Sequence, residues 1–111
     1  MDEITILQAD VLKTLASPRR LAIIHCLAGG PRGVGQLAVE IQASQTNVSQ
    51  HLAVLRAAGL VDAERDGREV HYRLSDPDVV VACAIMRSVL ERRLIRLATL
   101  SVSTPAVHLP T

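Results

Sequence analysis

Six polar side chains of small or moderate size, Gln45, Thr46, Asn47, Ser49, Gln50 and His51, stand together in one short stretch of this 111-residue chain. Amides and hydroxyls both donate and accept hydrogen bonds, which suits them to base edges and phosphate oxygens in a DNA groove. A segment that needed only solubility would more usually carry Lys and Glu. Arg56 follows on the same segment and is placed for a phosphate. Further on, Arg65 and Arg68 flank Asp66-Gly67, with Arg73 close by. Asp-Gly is a strong hairpin signal, and arginines at a hairpin tip could reach a minor groove or a phosphate. The candidate DNA-binding set is therefore Gln45, Thr46, Asn47, Ser49, Gln50, His51, Arg56, Arg65 and Arg68. Two plainer readings stand beside it: an amphipathic helix with a polar outer face, and a solvated hairpin edge whose arginines pair with Glu64, Asp66 and Glu69.

These side chains need elements to hold them. At about 100° per residue, Val48, Leu52 and Leu55 fall within one arc of a helix over residues 44–58, capped by Ser44. Thr46, Gln50 and Ala53 then point the opposite way, with Asn47 and Ser49 on the flanks and Gln45 and His51 near the edges of the stripe. Ala53 is small enough to let that face approach a groove floor. Three helices precede it. The first carries Ile4, Leu7, Val11, Leu12 and Leu15, and ends at Ser17-Pro18. The second, residues 18–28, carries Leu21, Ile24 and Leu27, with Pro18 in its first turn and Gly29-Gly30-Pro31 as its stop. The third, about residues 35–42, turns Leu37, Ala38 and Ile41 inward. A hairpin follows, residues 60–65 against 69–74, with its turn centred on Asp66-Gly67. It sets Val61 and Ala63 against Val70, Tyr72 and Leu74, so the wing spans residues 65–73.

A last helix over about residues 77–100 repeats Cys83, Met86, Leu90, Leu94 and Leu97 three or four apart. Val79, Ala82, Val89 and Ala98 widen the stripe, while Arg87, Glu91, Arg92, Arg93 and Arg96 form its solvated side. So broad an apolar face exceeds what one small domain needs. The first and last helices are the expected dimer seam.

Composition bounds the rest. The net charge is +1, so nucleic-acid affinity must come from the placement of the twelve Arg and Lys. Hydrophobic residues make up 49% of the chain, yet there is no Phe, no Trp and one Tyr, a composition suited to close-packed aliphatic helices. Residues 1–100 are read as one DNA-binding and dimerisation domain and residues 101–111 as a flexible tail. The longest apolar run, residues 79–86, is too short to span a bilayer. With no secretion signal after Met1-Asp-Glu and two Cys in apolar helical runs, a cytoplasmic setting is expected.

Three segments in order resemble the ArsR/SmtB-type repressors. Residues 12–24, LKTLASPRRLAII, are similar to that family's LxALADPTRLRIL opening; residues 44–61, SQTNVSQHLAVLRAAGLV, to its SQSTVSRHLKVLREAGLV; and residues 67–74, GREVHYRL, to its GRxVYYRL. The resemblance implies a mostly α fold with a small β-hairpin, a winged helix-turn-helix in the order α-α-α-α-β-β-α. It also implies a homodimer that reads a palindromic operator on double-stranded DNA and usually represses. Carried over by position, it assigns DNA contacts to Gln45, Thr46, Asn47, Ser49, Gln50 and His51, with Arg68 on the wing. Gln50 departs from the family's frequent Arg, exchanging a charged contact for an amide.

The family's inputs are expected to be missing. A Cys-x-Cys metal site before the third helix falls here on Gly33 and Gly35, which have no ligand atom. A second site on the last helix falls on Asp76, Asp78, Val89 and Arg92, and an Arg opposes a cation held at about 2 Å. Asp76 reads equally as a helix N-cap. Cys26 and Cys83 read first as small core residues, His25 and His71 as structural, and His108 as part of the tail. No metal or cofactor is expected. The signal is left to a separate sensory partner, or to a non-standard thiol or metal site. Two other classes are weaker: a winged-helix module for protein–protein contact, which would not need a basic wing tip, and an enzyme, for which no nucleophile–base pair or phosphate-cradling loop is present.

Overall fold

The structure is a computed structural model describing residues 1–103, with side chains described to residue 100. The element order is α1 (Glu3–Leu15), α2 (Pro18–Leu27), α3 (Val34–Glu40), α4 (Gln45–Ala57), β1 (Val61–Asp66), β2 (Glu69–Leu74) and α5 (Asp78–Ser103). Contacts divide it into two units, Met1–Pro77 and a second that begins at Asp78.

In the first unit, helix starts follow from local side-chain chemistry. Asp2 Oδ1 accepts from the Thr5 N–H at 2.9 Å, Ser17 Oγ from Arg20 N–H at 3.3 Å, and Ser44 Oγ from Asn47 N–H at 3.0 Å. Each such cap contributes about 1 kcal/mol by satisfying a donor the helix cannot. α3 begins one residue earlier than the sequence suggests, because Gln36 Oε1 accepts from the Gly33 N–H at 2.9 Å and starts the first turn there. It also ends earlier. Gln42 adopts φ 55, and Ala43 N–H donates to Ala38 O at 3.0 Å, closing the helix behind a left-handed residue. α4 closes the same way at Gly59, φ 77, with Leu60 N–H donating to Leu55 O at 3.0 Å.

The core is aliphatic. Ile23, Ile24 and Leu27 of α2, Leu37 of α3, and Val48, Leu52 and Leu55 of α4 are buried, together with Leu60 and Val61. One expected core residue is displaced: Leu21 lies open and Ile23 takes its place. Helical geometry explains the exchange, since Arg20, Ile23, Ile24 and Leu27 share one arc and Leu21 falls off its edge. Arg20 tolerates the position because its Nε donates to the Thr14 carbonyl. α1 buries only Leu15, leaving Ile4, Leu7 and Leu12 exposed.

β1 and β2 pair antiparallel from Val61↔Leu74 to Asp66↔Glu69. The tip is therefore Gly67-Arg68, one residue later than the expected Asp66-Gly67. Centring the turn on Asp66-Gly67 would set Arg65 opposite Arg68, and like charges directly opposed destabilise a ladder. The observed register sets Arg65 opposite Val70. Gly67, φ 64, then stands at the first central position, where a type II′ turn takes its glycine.

In the second unit, α5 runs 26 residues, opening one residue later and ending three later than expected. None of its described side chains is buried, and Val81, Ile85, Met86, Val89, Leu90, Leu94 and Ile95 are exposed. Residues 104–111, with His108 and most of the expected tail, lie outside the described residues.

Candidate nucleic-acid interface

α4 sorts its faces as its sequence requires. Val48, Leu52 and Leu55 have no exposed surface, which fixes the rotation of the helix and turns Gln45, Thr46, Ser49, Gln50, Ala53 and Arg56 to solvent. No acidic residue occupies its first turn, so the positive end of the helix dipole is uncompensated there. An anion approaching that end meets a Ser44-capped turn and neutral amides, with no carboxylate to repel it.

Asn47 and His51, one turn apart, are half-buried rather than open. Arg19 of α2 donates from Nη1 to Asn47 Oδ1 at 2.7 Å, so this amide is already engaged on one side. His51 has its pKa lowered from 6.5, first by burial and then by the charges of Arg20 and Arg19. It therefore meets a ligand as a neutral imidazole at neutral pH. Gln45 lies against α3, its Nε2 3.5 Å from where a Cβ on Gly35 would stand. Arg19 is a member of this cluster that helical periodicity in α4 does not mark out. Its signal was present, since it lies in the first turn of α2 beside Pro18, but nothing local says that this turn meets α4.

The wing is held from two sides. Ser75 N–H donates to Leu60 O at 3.0 Å at its base. On the side of β2 away from β1, Arg32 and Tyr72 exchange backbone hydrogen bonds at 3.0 and 2.8 Å, tying β2 to the α2–α3 loop. Arg73 and Glu64 form an ion pair at 3.3 Å, and His71 Nε2 lies 3.2 Å from Glu69 Oε2. The Arg73–Glu64 pair matches the solvated-edge reading for that part of the hairpin, while His71 and Glu69 lie on the same strand. Arg65 and Arg68 are exposed at the tip, and among the described residues neither is held in an ion pair or side-chain hydrogen bond. Between α4 and β2 a shallow hollow of about 470 Å³ is lined by Ser49, Leu52, Ala53, Arg56, Ala57 and Tyr72. A hydroxyl, a guanidinium and a phenol thus border one depression on the side that carries the polar face. Their chemistry suits a phosphate backbone.

The residues weighed as sensors are placed as follows. Gly33 precedes α3 and Gly35 lies in its first turn. Among the described residues no group of three or more His, Cys, Asp or Glu gathers as a metal site. Cys26 and Cys83 are free thiols, each half-buried. The Cys26 thiol is pushed up by burial and by its hydrogen bond to Glu40, with Arg32 opposing weakly. Glu40 is itself held low by that contact and by Arg32, whose Nε lies 3.1 Å from Oε1. A thiol kept protonated is a poor nucleophile. Among the described residues no helix is long and apolar enough to cross a membrane.

This arrangement is shared with known proteins. The family model for bacterial regulatory proteins of the arsR family matches residues 17–63. Over 87 residues the chain is 42% identical to the HTH-type transcriptional regulator Rv0081 of Mycobacterium tuberculosis, covering 78% of this chain and 76% of that protein. The Rv0081 crystal structure matches with a TM-score of 0.77 at 37% identity, over 88% of this chain and 99% of that one. A homodimeric winged helix-turn-helix DNA-binding domain from Mycobacterium bovis, a possible ArsR-family regulator, matches with a TM-score of 0.74 at 35% identity, over 82% and 84%. The biofilm growth-associated repressor of Agrobacterium fabrum is 44% identical over 68 residues, 61% of this chain and 58% of that protein. The element order, with a wing after the fourth helix, agrees with a winged helix-turn-helix, and the sequence and structural likeness together place it: the chain belongs to the ArsR family of winged helix-turn-helix transcriptional regulators.

Proposed function

We propose that this regulator acts in the cytoplasm as a homodimeric repressor that reads a palindromic operator, with α4 in the major groove and the wing on the flanking backbone. In this reading Gln45, Thr46, Asn47, Ser49, Gln50 and His51 meet base edges or nearby phosphates, and Arg56, Arg65 and Arg68 meet the backbone. One observation carries it: the exposed face of α4 is neutral and hydrogen-bonding from Gln45 to Gln50, with Arg56 as its one charge, while the wing tip beside it holds two arginines without a protein partner among the described residues. Neutral amides and hydroxyls discriminate between bases, and arginines supply salt-dependent affinity. A module built only for protein contact needs neither. The exposed apolar faces of α1 and of α5 are the surfaces assigned to the dimer. The signal is assigned to a separate partner or to a site unlike the family's usual ones.

The test is a titration of the full chain against the duplex upstream of its own coding sequence, with an unrelated duplex as control. Runs with zinc, nickel, a thiol oxidant and a chelator look for the signal. Joint replacement of Ser49 and Gln50 by Ala is expected to weaken binding to the preferred duplex by about 1–3 kcal/mol per lost base contact and to relax base preference. Unchanged preference would remove α4 from the reading role.

A further inference from the structure

Arg19 lies in the first turn of α2, exposed, and donates from Nη1 to Asn47 Oδ1 at 2.7 Å. An arginine side chain carries donors and no acceptor, so its partner atom on Asn47 must be the carbonyl oxygen. The Asn47 NH2 group is then left to other partners. Asparagine recognises adenine by accepting from N6 while donating to N7, a pairing that uses both ends of the amide. With its oxygen held beside a guanidinium, Asn47 offers its NH2 group as the free end of the amide. The positive charge also opposes the N6 amino donor of adenine and favours carbonyl and ring-nitrogen acceptors. Guanine presents two such acceptors, O6 and N7, and thymine presents O4, whereas the one acceptor of adenine, N7, stands beside its N6 donor. Asn47 is also fixed through its backbone, whose N–H is capped by Ser44. The backbone that carries this amide is thereby held in the first turn of α4, next to Arg19.

We propose that Arg19 is a positioning residue for sequence reading: by holding the Asn47 carbonyl beside its positive charge it presents the Asn47 NH2 as the base contact, which selects a guanine or thymine edge over adenine. This rests on the DNA reading above. It goes beyond that reading in naming a residue outside α4 and the wing that sets the base preference.

The experiment selects duplexes from a randomised pool with the full-length wild type, Arg19→Ala, Asn47→Ala and the double variant, then titrates the enriched sequences. Thermal unfolding checks that each variant is folded, which the surface position of Arg19 favours. The wild-type motif is expected to contain one position whose preference for guanine or thymine disappears in Asn47→Ala. At that position Arg19→Ala is expected to shift the preference toward adenine. Each single change should weaken the wild-type motif by about tenfold, and the double variant should be little worse than the weaker single one, because the pair acts as a unit. The proposal is overturned if Arg19→Ala weakens all duplexes alike and keeps the motif, which would make Arg19 a plain phosphate contact. It is also overturned if the Asn47-dependent position prefers adenine in the wild type, or if Asn47→Ala changes no position. A wild type that enriches no motif at all sinks the DNA reading itself and takes this inference with it.

Discussion

His51 shows how a single side chain on the reading helix carries two constraints at once. It borders the buried stripe of α4 while lying close to Arg19 and Arg20, and its pKa is lowered by burial first and by those charges second. The folded protein therefore takes up a proton on His51 less readily than the unfolded chain, whose value is about 6.5. Stability from this residue is fully present above that pH and is lost as pH falls through the lower, folded value. In urea unfolding at pH about 7.5 and about 5.5, the wild type should lose more stability on acidification than His51→Gln. Equal losses in the two proteins would remove His51 as the source. The sequence placed His51 near the edge of the stripe, which the structure supports. It did not reveal the arginines facing it, because they come from α2, and helical periodicity describes one helix at a time.

At the scale of elements, short-range rules made most of this fold legible. Ser17, Ser44 and Gly29-Gly30-Pro31 mark helix ends by chemistry that acts within a few residues, and Val48, Leu52 and Leu55 mark one face by spacing alone. What stayed hidden joins distant segments: the Arg32–Tyr72 bridge that ties down the wing, and the Arg19–Asn47 hydrogen bond. The hairpin lies between these cases. Its strands were readable by alternation, but its register depended on cross-strand pairing, which moved the tip to Gly67-Arg68. That tip gives two separable predictions. Gly67→Ala places a Cβ in open space at φ 64, so its cost is conformational, about 1 kcal/mol of stability, and a chemical denaturation curve should show it. No measurable loss would mean that the tip relaxes to another turn. Arg68→Ala should leave that curve unchanged while weakening binding to all duplexes alike and lowering the salt slope by about 1. An unaltered slope would take the tip off the phosphate backbone.

The whole molecule raises a different question, since so much apolar surface lies open in one protomer. Ile4, Leu7 and Leu12 on α1, and Met86, Leu90 and Leu94 on α5, are all exposed by half or more of their surface. Scattered single residues of this kind need no explanation, but an apolar stripe sustained along a 26-residue helix does. A second copy covering these faces would remove them from water. It would also present two reading helices to a two-fold site, about one helical turn apart. The two benefits are linked, and a charge on the stripe can test the link. Leu90→Glu combined with Leu94→Glu puts carboxylates where the protomer already leaves side chains in water, so the isolated fold should lose little. Burying the same carboxylates between two copies would be costly without partners. Sedimentation should therefore show a folded monomer. Its affinity for the preferred duplex should fall by at least about 100-fold, because the second half-site is no longer engaged intramolecularly. Salt-dependent binding to unrelated duplexes should persist in weaker form, since the polar face and the wing of each copy are untouched. A variant that stays dimeric would move the seam off α5. A folded monomer that keeps full affinity would show that one copy reads the site alone.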